Sequence, residues 1–173
     1  MKEVVAKAKL IAEVAHFTQR RKYTAEPYVE HCRRVVSLLD GSEKRMSDAA
    51  YAAAWLHDVV EDTPITLDFI AERCGMLVAR YVSAMTDTKN MYMNRTARKE
   101  VDRKRLSESN REVQTIKVCD LIDNTESIVQ YDPAFAKVYL KEKQLLLDVL
   151  TKADKALHER AQHQLTQALE AME

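Results

Sequence analysis

The chain has 173 residues, of which 46% are apolar and 31% are charged, with 27 basic and 27 acidic side chains. This length suits one domain with a packed core, and the balanced charge excludes a global field that would attract nucleic acid or an anionic membrane. No apolar run approaches the roughly 18 residues of a membrane span, and the N-terminus lacks the apolar core of a signal peptide.

The elements of the first half are predicted to be helices, because two glycines and three prolines in the whole chain are too few for a sheet protein. Apolar spacing and cap residues predict helices over residues 2–17, 28–39, 48–60, 67–74 and from Gly75 to 85. Ser47 and Thr66 are the predicted N-caps of the third and fourth helices. Pro64 closes the third helix and Gly75 ends the fourth.

The second half begins with the polar loop TDTKNMYMNR and continues as helices. The first of these helices is predicted to end at about residue 106. Two more are predicted over 111–127 and 133–150, and the last starts after 154. Asp132 and Asp154 are the predicted N-caps, and Pro133 suits the first position of a helix. Since we find neither a repeat nor a linker, one domain is expected over residues 1–173, with the helices of 133–171 packed on the rest.

The stretch WLHDVVEDT, residues 55–63, places a histidine and three carboxylates directly after an apolar run. On a continuous helix, His57 and Glu61 share one face, and Asp58 and Asp62 share the adjacent one. Acidic side chains near a helix C-terminus oppose the macrodipole at a cost of about 0.3 to 1 kcal/mol each. A divalent cation would compensate them, and a solvated last turn is the alternative interpretation.

Two further residues complete a candidate metal site. His31 lies on the second predicted helix, and Asp120 lies in the apolar run TIKVCDLIDN. Taken alone, His31 is explained as an ordinary helix residue and Asp120 as a partner of Lys117. Together with His57 and Asp58 they offer two imidazole nitrogens and two carboxylates, with positions left for water or phosphate oxygen. That mixture suits Mn, Fe, Co or Zn better than calcium.

The order His, His-Asp, Asp resembles the HD phosphohydrolase superfamily, and HDVVEDT resembles its RelA/SpoT homologue branch, whose hydrolase domains degrade the alarmone (p)ppGpp. RRK followed by EPYVEH is similar to that branch's basic segment and first metal histidine, and KVCDLIDN is similar to its last metal aspartate. The similarity covers residues 20–127. It implies a compact, single-domain, all-α HD bundle like the small alarmone hydrolases, which use Mn²⁺; other divalent transition metals suit the same ligands.

The resemblance also implies a role for each matched residue. The ligands of one metal ion would be His31, His57, Asp58 and Asp120. The pair that activates water for hydrolysis of the 3′-diphosphate would be Glu61 and Asp62, with the base and the acid left unassigned. Nucleotide contacts would come from Arg21, Lys22, Asn124 and Ser127. The basic segment after residue 86 varies in the family. From this segment, Arg95 or Arg98 would reach the diphosphate.

The chain departs from the branch at three places. Residues 24–26, Thr-Ala-Glu, stand where the family commonly has a glycine, and Cys32 stands where a proline often follows the metal histidine. Asp123 replaces a His or Tyr, which adds negative charge beside Asn124 and leaves the substrate preference open. The histidines interpreted as ordinary helix residues, outside any metal motif, are His16, His158 and His163.

Alternatives to a (p)ppGpp hydrolase stay open. Another HD enzyme would share the ligands and act on ppApp, the 2′-phosphate of NADPH or a nucleoside 5′-monophosphate. A non-catalytic protein could instead bind a small alarmone synthetase as its antitoxin. In the enzymatic cases the partner is a small nucleotide, and a homo-oligomer is compatible with the sequence. Three widely spaced cysteines without a CxxC pair argue against a disulfide framework and favour the cytoplasm.

Overall fold

Ten helices account for most of the chain in the computed structural model, which describes residues 3–172. In chain order they are α1 Glu3–Ala15, α2 Val29–Leu39, α3 Asp48–Leu56, α4 Val59–Asp62, α5 Leu67–Cys74, α6 Met76–Met85, α7 Arg95–Glu108, α8 Arg111–Tyr131, α9 Pro133–Leu147 and α10 Lys155–Glu170. The all-α prediction is confirmed. None of these helices is both long and apolar enough to cross a membrane.

Side-chain caps begin several helices where the sequence predicted them. A backbone N–H three residues along the chain donates to each predicted cap, namely Ser47, Thr66, Asp132 and Asp154. Asn94 and Asn110, which the sequence analysis did not identify, cap α7 and α8 in the same way. Gly75 separates α5 from α6 with a φ of 96°, a backbone conformation that favours glycine.

The predicted helix over residues 48–60 is wrong at its end. Helix α3 stops at Leu56, and α4 is a separate helical turn. His57 Nδ1 donates to the Ala54 carbonyl at 2.8 Å, so a side chain occupies the acceptor that a continued helix would use for the backbone N–H of Asp58. His57 and Asp58 therefore lie in a kink between two helices.

Helices α3 and α8 occupy the centre of the fold. Helix α3 packs against α1, α2 and α6, while α8 packs against α2, α9 and α10. The small residues Ala50, Ala52, Ala53 and Ala54 of α3 are fully buried, and small side chains let neighbouring helices approach closely. Because α2, α3 and α8 meet in the core, their polar residues are brought to the interior of the molecule.

The segment between α1 and α2, residues 16–28, folds back on itself through an isolated antiparallel bridge between Arg20 and Pro27. Within it the Arg21 N–H donates to the Glu26 carbonyl at 2.9 Å. Ala25 adopts a φ of 57°, a left-handed conformation that costs a non-glycine residue about 1–2 kcal/mol. The chain thus forms this turn with an alanine at the position of positive φ.

The three cysteines, Cys32, Cys74 and Cys119, are buried as free thiols. Burial raises the pKa of Cys32 to about 12 and also raises the pKa of Cys119. Since the thiolate is the reactive form, these two side chains act as small apolar groups in the core.

Candidate metal centre and substrate cavity

Four polar side chains from three parts of the chain converge in the core. His31 comes from the first turn of α2, His57 and Asp58 come from the kink after α3, and Asp120 comes from the middle of α8. His31 Nε2 lies 3.1 Å from His57 Nε2, 3.4 Å from Asp58 Oδ2 and 3.3 Å from Asp120 Oδ1. The structure thus brings together the four residues that the sequence predicted as metal ligands.

The orientation of the two imidazoles fits a bound cation. His57 Nδ1 donates to the Ala54 carbonyl at 2.8 Å, and His31 Nδ1 donates to Asp123 Oδ2 at 2.7 Å. With Nδ1 of each ring used as a donor, loss of the Nε2 protons to a metal ion would leave two lone pairs that face the same point, an arrangement that suits a shared ion. One ligand atom from each of His31, His57 and Asp58 lies within 4.8 Å of the others, so these atoms can share one ion.

The electrostatics of the cluster also favour a cation. Burial lowers the pKa of His31, but hydrogen bonds to Asp120, Asp123 and Asp58 outweigh burial and raise this pKa to about 9. Burial raises the pKa of Asp120, but the charge of Lys117 and the hydrogen bond from His31 bring it well below its ordinary value. Ionised carboxylates therefore surround the imidazole nitrogens, and a divalent ion would neutralise them.

Further side chains hold the two carboxylate ligands in place. The Tyr28 hydroxyl donates to Asp58 Oδ2 at 2.6 Å. Lys117 Nζ donates to Asp120 Oδ2 at 2.8 Å, and Asn124 Nδ2 donates to Asp120 Oδ1 at 2.5 Å. The ion pair with Lys117, the alternative explanation for Asp120, is present, but it uses Oδ2 and leaves Oδ1 facing the histidines.

Asp123 and Arg34 form a support behind His31 that the sequence analysis missed. Asp123 accepts from His31 Nδ1 and from Arg34 Nε at 2.5 Å, and Arg34 also forms a two-pronged pair with Glu26 at 2.7 and 3.0 Å. A carboxylate on the second nitrogen of a metal histidine fixes the ring and its tautomer. Asp123 was expected to add negative charge beside Asn124; its hydrogen bonds are with His31 and Arg34, and its Oδ2 also lies 3.8 Å from the Arg21 guanidinium. Its spacing of three from Asp120 on one helix was the available signal.

Glu61 and Asp62 lie in different surroundings. Glu61 lines a cavity together with Asp58 and Asp120, and its Oε2 accepts from the Asp87 backbone N–H at 3.1 Å. Burial, and then the charge of Asp87, raise the pKa of Glu61. Asp62 is more exposed, and its Oδ2 accepts from Gln19 Nε2 at 2.9 Å. The two members of the predicted pair are therefore not equivalent.

The cavity has a volume of about 300 Å³ and extends from the metal ligands to residues of α7, α8 and α9. Its basic side chains are Arg95, Lys99, Arg103, Lys117 and Lys143. Three of them bind a carboxylate: Arg95 binds Glu142 at 2.7 Å, Lys99 binds Asp87, and Lys117 binds Asp120. Within residues 3–172, no carboxylate lies at ion-pair distance from Arg103 or Lys143.

Lys143 is the more unusual of these two cations. Its side chain is 1% exposed, and Nζ donates to two neutral acceptors, Thr125 Oγ1 at 2.8 Å and Gln164 Oε1 at 2.9 Å. Burial lowers its pKa to about 7. The sequence analysis missed this residue because KVYLKEKQLLL resembles an ordinary amphipathic helix with lysines on its solvated face.

The predicted nucleotide contacts are only partly brought together. Arg21 donates through one nitrogen to Asn124 Oδ1 at 2.9 Å and to Ser127 Oγ at 3.3 Å, at the edge of the metal ligands. Lys22 instead extends into solvent with 73% of its side chain exposed and binds Asp132 at 3.3 Å. Arg98 donates to the Met93 carbonyl at 2.7 Å and is not among the described residues that line the cavity, unlike Arg95.

Comparisons with known proteins agree with this geometry. A model of the HD domain family matches residues 8–132. The chain is 32% identical over 127 residues to a probable GTP pyrophosphokinase of Mycobacterium leprae, an alignment that covers 72% of this chain and 16% of that protein. It is 31% identical over 118 residues to guanosine-3′,5′-bis(diphosphate) 3′-pyrophosphohydrolase MESH1 of Drosophila melanogaster, with 68% of this chain and 65% of that protein covered.

A solved structure has the same fold. It is described as a metazoan ortholog of SpoT that hydrolyzes ppGpp, and it superposes with a TM-score of 0.85 over 96% of both chains at 24% identity. The alignments cover 16% of the Mycobacterium leprae protein and 65% of the Drosophila melanogaster protein, so the chain matches only part of the length of each relative.

Proposed function

The chain belongs to the HD domain family, and we propose that it is a metal-dependent (p)ppGpp 3′-pyrophosphohydrolase that releases pyrophosphate and leaves GDP or GTP. One observation carries the proposal: a single cavity has a metal-ligand cluster and Glu61 at one end, and elsewhere on its wall has Arg103 and Lys143, for which the described chain offers no carboxylate partner. Relatives named guanosine-3′,5′-bis(diphosphate) 3′-pyrophosphohydrolase support the choice of substrate.

The metal would be held by His31, His57, Asp58 and Asp120. Two imidazoles with two carboxylates suit Mn²⁺, which we propose as the ion, and equally suit other divalent transition metals. When bound, such an ion acts as a Lewis acid toward a phosphoryl oxygen and lowers the pKa of a bound water. The hydrogen bonds from Tyr28 to Asp58 and from Lys117 to Asp120 would keep these two carboxylates in place as ligands.

Glu61 is our candidate for the general base. It lies in the cavity beside Asp58, and its raised pKa makes its carboxylate a better proton acceptor than an ordinary glutamate. It would take a proton from the attacking water and pass it toward the leaving oxygen. Asp62, which lies outside the cavity wall and binds Gln19, would orient the water and Glu61 rather than carry the proton.

The nucleotide would bind beside Arg21, whose guanidinium lies 3.8 Å from Asp123 of the His31 support. The Arg21 guanidinium, held beside Asn124 and Ser127, presents a flat cationic face on which a purine can stack. Within residues 3–172, Arg103 and Lys143 have no carboxylate at ion-pair distance, so their interaction with the phosphates of a ligand would not require breaking an ion pair. A substrate with phosphates at both 3′ and 5′ uses such cations better than a nucleoside monophosphate does.

We propose one catalytic domain that includes α9 and α10, since Lys143 of α9 lies on the cavity wall and Gln164 of α10 binds it. A cytoplasmic location suits an enzyme that acts on a soluble nucleotide. Self-association and an interaction with an alarmone synthetase stay predictions.

The test is product analysis by ³¹P NMR of purified protein with Mn²⁺ and, in parallel, ppGpp, ppApp, NADPH and nucleoside 5′-monophosphates. We expect pyrophosphate and GDP from ppGpp. Glu61→Gln is the matched control, because it changes no metal ligand and should remove this activity while metal binding persists. Release of phosphate from a monophosphate or NADPH, with ppGpp untouched, would overturn the substrate and keep the metal site.

A further inference from the structure

His16 was interpreted from sequence as an ordinary helix residue, but its surroundings link it to the catalytic pair. It follows the last residue of α1 and is 1% exposed. Its ring lies 4.7 Å from the ring of Tyr28, whose hydroxyl donates to the metal ligand Asp58. His16 Nδ1 is 2.5 Å from Gln19 Oε1, and Gln19 Nε2 is 2.9 Å from Asp62 Oδ2.

The hydrogen-bond chain has a direction. An Asp62 carboxylate oxygen only accepts, so the NH₂ group of Gln19 faces it and the amide oxygen faces His16. That oxygen also only accepts, so His16 carries its proton on Nδ1. The ring tautomer of His16, the amide orientation of Gln19 and the position of the Asp62 carboxylate are therefore linked, so that a change in one requires a change in the next.

The backbone holds Gln19 in place as firmly as the side chains do. Its N–H donates to the His16 carbonyl, and its carbonyl accepts from the Tyr28 N–H, both at 3.0 Å. The Gln19 backbone is thus hydrogen-bonded to the first and the last residue of the 16–28 segment. Within residues 3–172, His16 Nε2 is buried with no hydrogen-bond partner, so the ring is directed by Nδ1 alone.

We propose that His16 and Gln19 are positioning residues that hold the Asp62 carboxylate in one orientation at the catalytic site. The proposal rests on the role given to Asp62 under the proposed function. Neither side chain contacts the metal ligands or lines the cavity in the described chain, so both act through Asp62. A small displacement of a catalytic group can lower turnover by about 100-fold, which makes such an anchor matter for rate.

Variants that separate the hydrogen bond from packing test the proposal. Asparagine can place an N–H donor near the position of Nδ1, whereas leucine keeps volume and removes the donor. We expect His16→Leu and Gln19→Met to lower kcat by about 10- to 100-fold with KM changed by less than about threefold, and His16→Asn to keep kcat within about threefold. A packing role predicts the opposite order, with His16→Leu active and His16→Asn impaired, and would overturn the proposal.

A double-mutant cycle tests whether Gln19 acts through Asp62. In an Asp62→Ala background, Gln19→Met should lower kcat no further. The same loss in both backgrounds would contradict the proposal.

The ring tautomer gives a readout that needs no substrate, so it tests the anchor even if ppGpp proves not to be the substrate. Nitrogen-15 NMR of the histidine side chains should find the proton of His16 on Nδ1 in the wild-type protein, and Gln19→Met should shift it away from Nδ1. A proton on Nε2 in the wild type would overturn the anchor, whereas inactivity toward ppGpp alone would overturn only the proposed function.

Discussion

The two ends of the cavity have opposite electrostatic needs. At the metal end, His31, His57, Asp58 and Asp120 gather acceptor atoms within a few ångströms, more negative charge than Lys117 neutralises. Elsewhere on the wall, Lys143 is buried against neutral groups. One end therefore favours a cation and the other favours an anion. A single ligand that binds a metal through one phosphate and carries a second phosphate would satisfy both.

The largest expected effect comes from the metal end. Asp58→Asn removes a charged ligand while keeping the side-chain volume, so we expect loss of Mn²⁺ binding and a drop in kcat of at least about 1,000-fold. Metal titration and turnover should be measured on the same sample. Asp68→Asn, an exposed carboxylate on α5, is the control and should change neither quantity.

The next largest effect separates chemistry from metal binding. Glu61→Gln should lower kcat by about 100- to 10,000-fold while the protein still binds Mn²⁺. Since burial raises the pKa of Glu61 and a base must be deprotonated, wild-type kcat should rise with pH through a value above the ordinary glutamate range. A pH–rate profile of the residual activity should lack that limb in Glu61→Gln. A retained limb would assign the base to another group.

A smaller effect is expected from the support behind His31. Asp123→Asn weakens the acceptor for His31 Nδ1 and the pair with Arg34, and loss of such a partner typically lowers metal affinity by about 10- to 100-fold. Competition with a metal chelator measures the affinity. Glu126→Gln, exposed one turn away on α8, serves as the control. Unchanged affinity in Asp123→Asn would mean that the ring is oriented by packing alone.

The smallest effect concerns Lys143, on the part of the cavity wall that favours an anion. Burial lowers the pKa of Lys143 to about 7, against 10.5 for an ordinary lysine. Between these values the unfolded chain binds more protons, so wild-type stability should rise with pH across this window, and the full cost of the buried charge applies below pH 7.

Lys143→Met removes the free-energy cost of burying this charge and also removes a proposed phosphate contact. At pH 6 we expect the free energy of unfolding to increase by about 1–2 kcal/mol, with the gain lost by about pH 10. We also expect KM for ppGpp to rise by about tenfold. Urea unfolding across pH and steady-state kinetics measure the two effects, with exposed Lys141→Met as the control. A gain that does not vary with pH would assign it to packing instead of charge.

Local signals in the sequence predicted much of the fold. Ser47, Thr66, Asp132 and Asp154 were identifiable as caps because a cap depends on one side chain and a backbone group three residues away. The kink at His57 was not predictable, because it depends on a side chain competing for a backbone acceptor inside an otherwise helical pattern.

Sequence likewise predicted some residues of the candidate site and missed the roles of others. His31, His57, Asp58 and Asp120 could be proposed from residue type and order, whereas the roles of Asp123, Lys143 and His16 depend on contacts between helices far apart in sequence. Arg98 was a reasonable candidate by charge, but its guanidinium binds the Met93 carbonyl in the loop just before its own helix α7.

The most direct test of the two-ended cavity is the affinity of Mn²⁺-loaded Glu61→Gln for ppGpp and for GDP, measured by calorimetry without turnover. GDP lacks the 3′-diphosphate that would meet the metal. If one ligand engages both ends, ppGpp should bind at least about 100-fold more tightly than GDP, and removal of Mn²⁺ should abolish most of that difference. Equal affinities with Mn²⁺ present would contradict the account.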